Sequence, residues 1–150
     1  MEKNYDVLVK DQIFFGGAKD AEAAFEQEAV DIVIDVRVQG LTSEEQEAIS
    51  YSYKHMPIAD EDIAVASSIQ HVAKEIASSY EAGQKVYVHC GSGGGRAGVA
   101  ATAVLIELGL ANSLEEAEEA VKKARPQVTI RPKMEDALQQ LYKYRKRCTD

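Results

Sequence analysis

The sequence predicts an α/β fold: a central, mostly parallel sheet flanked by helices. Three observations carry this. Short β-branched and aromatic runs early in the chain alternate with stretches whose apolar residues recur three and four apart. One run, Asp-Ile-Val-Ile-Asp-Val at 31–36, has the near-continuous apolar character of a strand buried on both faces, as in parallel sheets. A second, Val86 to Val88, runs through a glycine-rich loop straight into a small-residue helix, and α/β sheets place ligands at such strand ends.

The elements follow in order. Tyr5 to Val9 and Ile13 to Phe15 read as two strands around the polar Lys10-Asp11-Gln12 turn, and Gly16-Gly17 breaks the chain. Ala18 to Glu28 carries Ala21, Ala24 and Phe25 at helical spacing. After the Asp31–Val36 strand, Ser43-Glu44-Glu45-Gln46 is a capping box opening a short helix. Tyr51 to Ile58 is extended and stops near Pro57. Ile63 to Tyr80 is a long amphipathic helix on Ile63, Ala66, Ile69, Val72, Ala73, Ile76 and Ala77, ended by Gly83. Beyond the glycine loop, Arg96 to Leu108 is apolar on most faces, the mark of a buried helix, with Gly109 as its C-terminal cap. Ser113-Leu114-Glu115-Glu116 is a capping box for a helix to about Ala124, and Pro132 opens a last helix to about Arg147. There is no internal repeat, low-complexity segment or linker.

At 150 residues the chain fits one domain, 1–150, with a real core. Its 45% hydrophobic and 28% charged content is ordinary for a soluble protein. No apolar run approaches the roughly 18 residues that cross a bilayer, and Met-Glu-Lys-Asn-Tyr-Asp is not a signal segment. With only two cysteines, the expected compartment is the reducing cytoplasm. A net charge of −8 argues against nucleic acid and against anionic membranes as partners. The basic residues cluster late, Lys122, Lys123, Arg125, Arg131 and Lys133, then Lys143, Arg145, Lys146 and Arg147; solvated helix faces and a helix C-terminus are their plain reading, and it is preferred for the last cluster. His55, His71 and His89 have no paired spacing for zinc, so neither metal nor cofactor is expected. Cys148 in the polar tail is given no role.

The chemistry is concentrated at 85–98, Lys-Val-Tyr-Val-His-Cys-Gly-Ser-Gly-Gly-Gly-Arg-Ala-Gly. Gly91, Ser92, Gly93, Gly94 and Gly95 separate Cys90 from Arg96. Glycines let a tight loop turn its N–H groups inward as a nest for an anion. The helix beginning near Arg96 adds the positive end of its dipole, and Arg96 adds a planar fork of donors matched to phosphate oxygens. Cys90 at the loop's base lies in this positive potential, which favours the thiolate, the nucleophilic form. Two other phosphate loops do not fit. The Gly-Lys-Ser/Thr ending of a nucleotide-binding P-loop is absent. In Gly91-x-Gly93-x-x-Arg96 an arginine stands where a dinucleotide fingerprint has its third glycine. A general acid for leaving-group expulsion would come from Asp60-Glu61-Asp62, with Asp60 preferred over Asp62 and Glu61 third; helix N-capping is the alternative role for Asp60. His89 would stiffen the loop through a ring-to-backbone hydrogen bond. Ser92 either bonds a substrate oxygen or faces solvent.

These residues resemble the cysteine-dependent phosphatases, the protein tyrosine phosphatases and their dual-specificity branch, whose signature is His-Cys-x-x-Gly-x-x-Arg-Ser/Thr. His89, Cys90, Gly93 and Arg96 match it and Ala97 departs. Pro57-Ile58-Ala59-Asp60 looks like the family's acid loop. Its lack of a tryptophan favours the dual-specificity branch. Ala124-Arg125-Pro126-Gln127-Val128 and Leu138-Gln139-Gln140-Leu141-Tyr142 look like the pieces that follow the catalytic loop there. The resemblance implies a tyrosine-phosphatase-like fold and a two-step reaction. Cys90 attacks phosphorus to form a thiophosphate, an aspartic acid protonates the leaving oxygen, and the same residue then activates the hydrolytic water. The family's hydroxyl next to the arginine steadies the sulfur as it leaves, so Ala97 implies a slower second step. The bare loop, with no lysine, favours a phosphorylated protein or small phosphoester over a polyphosphorylated lipid. Two alternatives remain. Val33-Ile34-Asp35-Val36-Arg37 and Val-Tyr-Val-His-Cys are also in the style of rhodanese-like sulfurtransferases, and Ala97 suits a non-catalytic phosphate-binding relative.

Overall fold

The computed structural model describes residues 4–143. A five-stranded sheet is built from β1 (Asp6–Val9), β2 (Ile13–Gly17), β3 (Ile32–Asp35), β4 (Tyr53–His55) and β5 (Val86–Cys90). The order is β1-β2-β5-β3-β4; only β1 runs antiparallel, hairpin-linked to β2. The expected mostly parallel sheet is therefore present. Among the described residues six α-helices surround it: α1 (Ala21–Glu28), α2 (Ser43–Ala48), α3 (Asp62–Glu81), α4 (Arg96–Glu107), α5 (Leu114–Ala124) and α6 (Pro132–Tyr142), with a single 3-10 turn at Ala18–Asp20 leading into α1.

Side-chain alternation along the strands divides the core in two. Phe14, Val33 and Tyr87 face α1, where they pack with Tyr5, Ala21, Ala24 and Val30. Ile13, Phe15, Ile34, Val86 and Val88 face the larger layer of α3, α4, α5 and α6. Helix α4 lies in the middle of that layer and buries every residue from Ala97 to Ile106. Its apolar-all-round sequence needs such a position. Thr102, the polar exception, returns its hydroxyl to Gly98 O at 2.8 Å. Ile69, Val72 and Ile76 of α3 are fully buried against it, each worth about 1.5–3 kcal/mol.

The helix ends follow local chemistry, with two departures. Ser113 caps α5 by accepting from Glu116 N, and Gly83 and Gly109 take left-handed conformations after α3 and α4. The cap of α2 is Thr42, one residue before the expected Ser43, with Glu45 completing the box. Ile63, expected on the buried stripe of α3, is 92% exposed. It stands on the first turn, which overhangs the core, so the stripe begins at Val65. Helix α6 is described to Tyr142, with Lys143 as its C-cap; the expected extension to Arg147, with Arg145, Lys146 and Arg147 of the second basic cluster, and Cys148 lie outside the described residues. Among the described residues no helix is long and apolar enough to cross a membrane.

One carboxyl pair links α5 to α6. Burial and the Glu135 carboxyl together push the Glu118 acid well above the usual carboxylate range. Folded Glu118 thus keeps a proton that the unfolded chain releases, and stability falls as pH rises above about 4.3. Glu118→Gln is expected to raise the melting temperature at neutral pH by a few degrees. The gain should shrink toward zero as thermal melts are taken down to about pH 4, where Glu118 is protonated in both states.

Candidate active site

The parallel strands end together, and their C-terminal edge holds the glycine loop. Cys90 is the last residue of β5 and is 6% exposed. Across from it β2 ends in Gly17, with Gly16 opposite His89 and Gly17 opposite Cys90. The doublet that reads as a chain break is thus the seat of the loop. Gly93 has φ +82°, and a Cβ there would lie 2.4 Å from the Gly16 carbonyl carbon. Only glycine meets both conditions. Ala18 N–H donates to Gly91 O at 3.0 Å and Thr129 N–H to Gly94 O at 2.6 Å, so the loop is tied on two sides. With its backbone fixed, Gly93 N–H donates to Cys90 Sγ at 3.2 Å. Ser92 is exposed and its hydroxyl accepts from Gly94 N–H.

The strongest support for the loop comes from a residue to which the sequence gives no role of its own. Arg125 is not on a solvated helix face but 4% exposed beneath the loop. Its guanidinium donates to Gly93 O (3.0 Å), Ser92 O (3.1 Å), Asn4 O (2.8 Å) and Asp6 Oδ2 (2.7 Å). A five-donor fork is the side chain able to satisfy so many converging acceptors. The sequence clues were its place at the end of α5, just before Pro126, where the chain must leave the helix, and the likeness of Ala124-Arg125-Pro126-Gln127-Val128 to the segment that follows the catalytic loop.

Arg96 and Asp60, thirty residues before Cys90 in sequence, are brought together. Arg96 donates through Nε to Ile58 O at 2.9 Å and through Nη2 to Asp60 Oδ1. The loop that carries Asp60 is held by buried Ile58 and by a 2.9 Å bond from Ala59 N–H to Ser68 Oγ on α3, a positioning role that periodicity alone does not reveal. Asp60 does not cap α3; Glu61 occupies that position without a side-chain cap bond. Asp62 is directed elsewhere, pairing with Lys133 at 3.1 Å. Lys133 also donates to Asp60 O.

Behind Cys90 lies a buried polar cluster. Asp35, at the end of β3, is fully buried and accepts from Arg37 N, Nε and Nη2 and, at 2.5 Å, from Tyr53 OH. Burial alone would raise its carboxyl, but the hydrogen bonds from Arg37 and Tyr53 outweigh burial and hold it below the usual carboxylate range. Tyr53 is pushed up to about 12 by burial and by its bond to Asp35. His89 Nδ1 sits 3.1 Å from Cys90 O and 3.8 Å from Asp35 Oδ1. Its bond to that carbonyl requires the proton on Nδ1, and burial lowers its basicity, so the ring is neutral at pH 7. Cys90, the loop and Arg96 line a cleft of about 520 Å³, which Arg37, Arg131, Gln127, Thr129 and Met134 complete.

Removing Arg125 strands two loop carbonyls. Arg125→Met is expected to destabilise the fold by about 3 kcal/mol in urea titrations, since buried acceptors lose their donors. The effect should be visible as greater alkylation of Cys90 by iodoacetate.

Comparisons place this geometry in a family. The family model of the dual specificity phosphatase catalytic domain matches residues 13–147. No curated protein matches the chain with significance. Among solved structures it is similar to human DUSP28, with TM-score 0.76, 21% identity and 93% of each chain covered. It is also similar to Tk-PTP in the active form, with TM-score 0.74, 24% identity and coverage of 94% of this chain and 97% of that one. PTPMT1 matches with TM-score 0.73 and 23% identity over 91% of this chain and 92% of that one. At these identities the likeness establishes the shared fold, and the family model over most of the chain establishes the lineage. The chain belongs to the dual specificity phosphatase family, the cysteine-based phosphatases whose signature surrounds Cys90.

Proposed function

We propose that the chain, as one domain over residues 1–150, hydrolyses phosphomonoesters through a thiophosphate on Cys90. The observation that carries this is the meeting, at one cleft, of a cysteine under a glycine nest, a donor arginine and a carboxylate on the facing loop. The loop N–H groups and Arg96 take the three non-bridging phosphate oxygens. The Cys90 sulfur bonds to phosphorus as the bond to the leaving oxygen breaks, and Asp60 gives that oxygen its proton. Water then attacks phosphorus, Asp60 takes its proton, and the sulfur leaves as thiolate. In the structure Arg96 is engaged by Asp60. A bound phosphate draws the arginine to itself and frees the carboxyl for the leaving group.

Ala97 offers no hydroxyl to the sulfur, so the Gly93 N–H is the donor that steadies it as it leaves. His89, neutral and bonded to Cys90 O, holds the strand end without transferring a proton. The substrate is a phosphorylated protein side chain or a small phosphoester, as expected of a dual-specificity-like enzyme. PTPMT1 has been solved in complex with PI(5)P, which adds an inositol phosphate to the substrates to be tried. The lineage favours phosphoryl over sulfur transfer. A nucleophile that must remain reduced fits the cytoplasm.

Two measurements test the reading. With p-nitrophenyl phosphate, Cys90→Ser is expected to abolish turnover while vanadate still binds. Arg96→Lys should lose about a hundredfold or more, since a point charge does not replace a bidentate fork. A tenth of wild-type activity in Cys90→Ser would overturn the mechanism. Asp60→Asn should depress kcat strongly for alkyl phosphates, less for p-nitrophenyl phosphate, and erase the basic limb of the pH–rate profile. If Asp62→Asn does this instead, the acid is two residues on.

A further inference from the structure

We infer that the cleft holds a second anion subsite, formed by Arg37 and Arg131, for a phosphate or carboxylate that the substrate carries beside its scissile phosphate. The inference rests on the phosphomonoesterase reading and adds a substrate class to it: compact phosphoesters with two anionic groups.

Size comes first. The cleft of about 520 Å³ falls in the range of about 300–1,000 Å³ that encloses whole small ligands, and the loop with Arg96 accounts only for the phosphoryl end. Charge comes second. The chain has 25 acidic against 17 basic residues, yet Arg37, Arg96 and Arg131 are the charged residues that line the cleft, and Asp60 meets it only at the edge, through its ion pair with Arg96. A wall of one sign inside an acidic protein concentrates anions where the rest of the surface repels them.

The proposed reaction uses only Arg96. Arg37 is fixed by its neighbours: Asp35 takes Nε and Nη2, and Tyr53 OH locks Asp35 in turn. A guanidinium has five N–H donors, so the outer nitrogen, Nη1, still has its two N–H groups. Among the described residues Nη1 makes no hydrogen bond to Asp35, and the Tyr53 hydroxyl beside the guanidinium is its one other polar neighbour. Asp35 offsets the charge of Arg37, which therefore supplies hydrogen-bond donors to the cleft wall more than net potential. Arg131 supplies the potential. Its side chain makes no hydrogen bond or ion pair among the described residues. The extended conformation imposed by Pro132, φ −68° and ψ 152°, sets it at the entrance to α6 on the cleft wall. Lys133 is already committed to Asp60 O and Asp62 and is not part of the subsite.

The test compares matched substrates that differ by one anionic group. One pair is a sugar bisphosphate and the corresponding monophosphate. The other is a phosphotyrosine peptide with and without an adjacent phosphoserine. Wild type is expected to favour the bis-anionic member of at least one pair by about tenfold in kcat/KM, mainly through KM, and the pair that shows it identifies the source of the second anion. Arg131→Ala should bring that ratio near one. Arg37→Lys, which keeps a partner for buried Asp35, should lower it severalfold. Calorimetry on Cys90→Ser with pyrophosphate and orthophosphate reads the subsite without turnover. Pyrophosphate should bind at least tenfold more tightly, and Arg131→Ala should remove the difference. If p-nitrophenyl phosphate is not hydrolysed but pyrophosphate preference is present, the phosphatase reading fails and the subsite stands. Equal handling of both members of each pair together with equal binding of the two anions overturns the subsite, as does a preference that survives in both arginine variants.

Discussion

The close seating of Gly93 on Gly16 is the contact on which the cleft depends. The glycine loop has almost no side chains with which to hold its own shape, so its form comes from what it touches. Backbone meets backbone where no Cβ could fit, Arg125 grips two loop carbonyls from below, and Ala18 and Thr129 tie the sides. A nest for an anion must be assembled before the anion arrives, because reorganisation at the moment of reaction would add to the barrier. Here assembly is done by the fold, through β2, the end of α5 and the segment leading to α6.

Electrostatics follow from the same arrangement. The positive end of α4, a neutral His89 and three arginines gather at one sheet edge of a chain that is acidic overall. Two carboxylates temper that potential in different ways. Asp35 is buried and permanently paired, and acts on the cleft by orienting Arg37. Asp60 is exposed and sits on a loop, so its pairing with Arg96 is open to solvent, and the proposed mechanism has a phosphate take its place. The same ion-pair chemistry is thus buried and rigid at one position and exposed at the other.

How much of this was legible depended on range. The strand–loop–helix around Cys90 was plain because its signals are local: β-branched residues, glycines, and an arginine at the start of an apolar helix. The capping box before α2 was found one residue late because Thr42 and Ser43 are both hydroxyl residues with Glu or Gln three positions on. Ile63 misled because periodicity continues into a turn that hangs past the core. Arg125 and Arg37 were opaque for a deeper reason. The acceptors of Arg125 are as distant as Asn4 and Gly93, and Arg37 gains meaning only when Tyr53 closes on Asp35. Nothing in the pattern around a charged residue distinguishes a solvated one from one that supports a loop.

The central claim is that phosphorus bonds to the Cys90 sulfur. Rapid acid quench of Asp60→Asn protein mixed with p-nitrophenyl phosphate, followed by mass spectrometry, tests it directly, since slowed hydrolysis lets the intermediate accumulate. The expected result is a phosphoryl group on the peptide containing Cys90 and on no other. Phosphorylation of a different residue, or phosphate release with Cys90 unmodified throughout a single turnover, would contradict it.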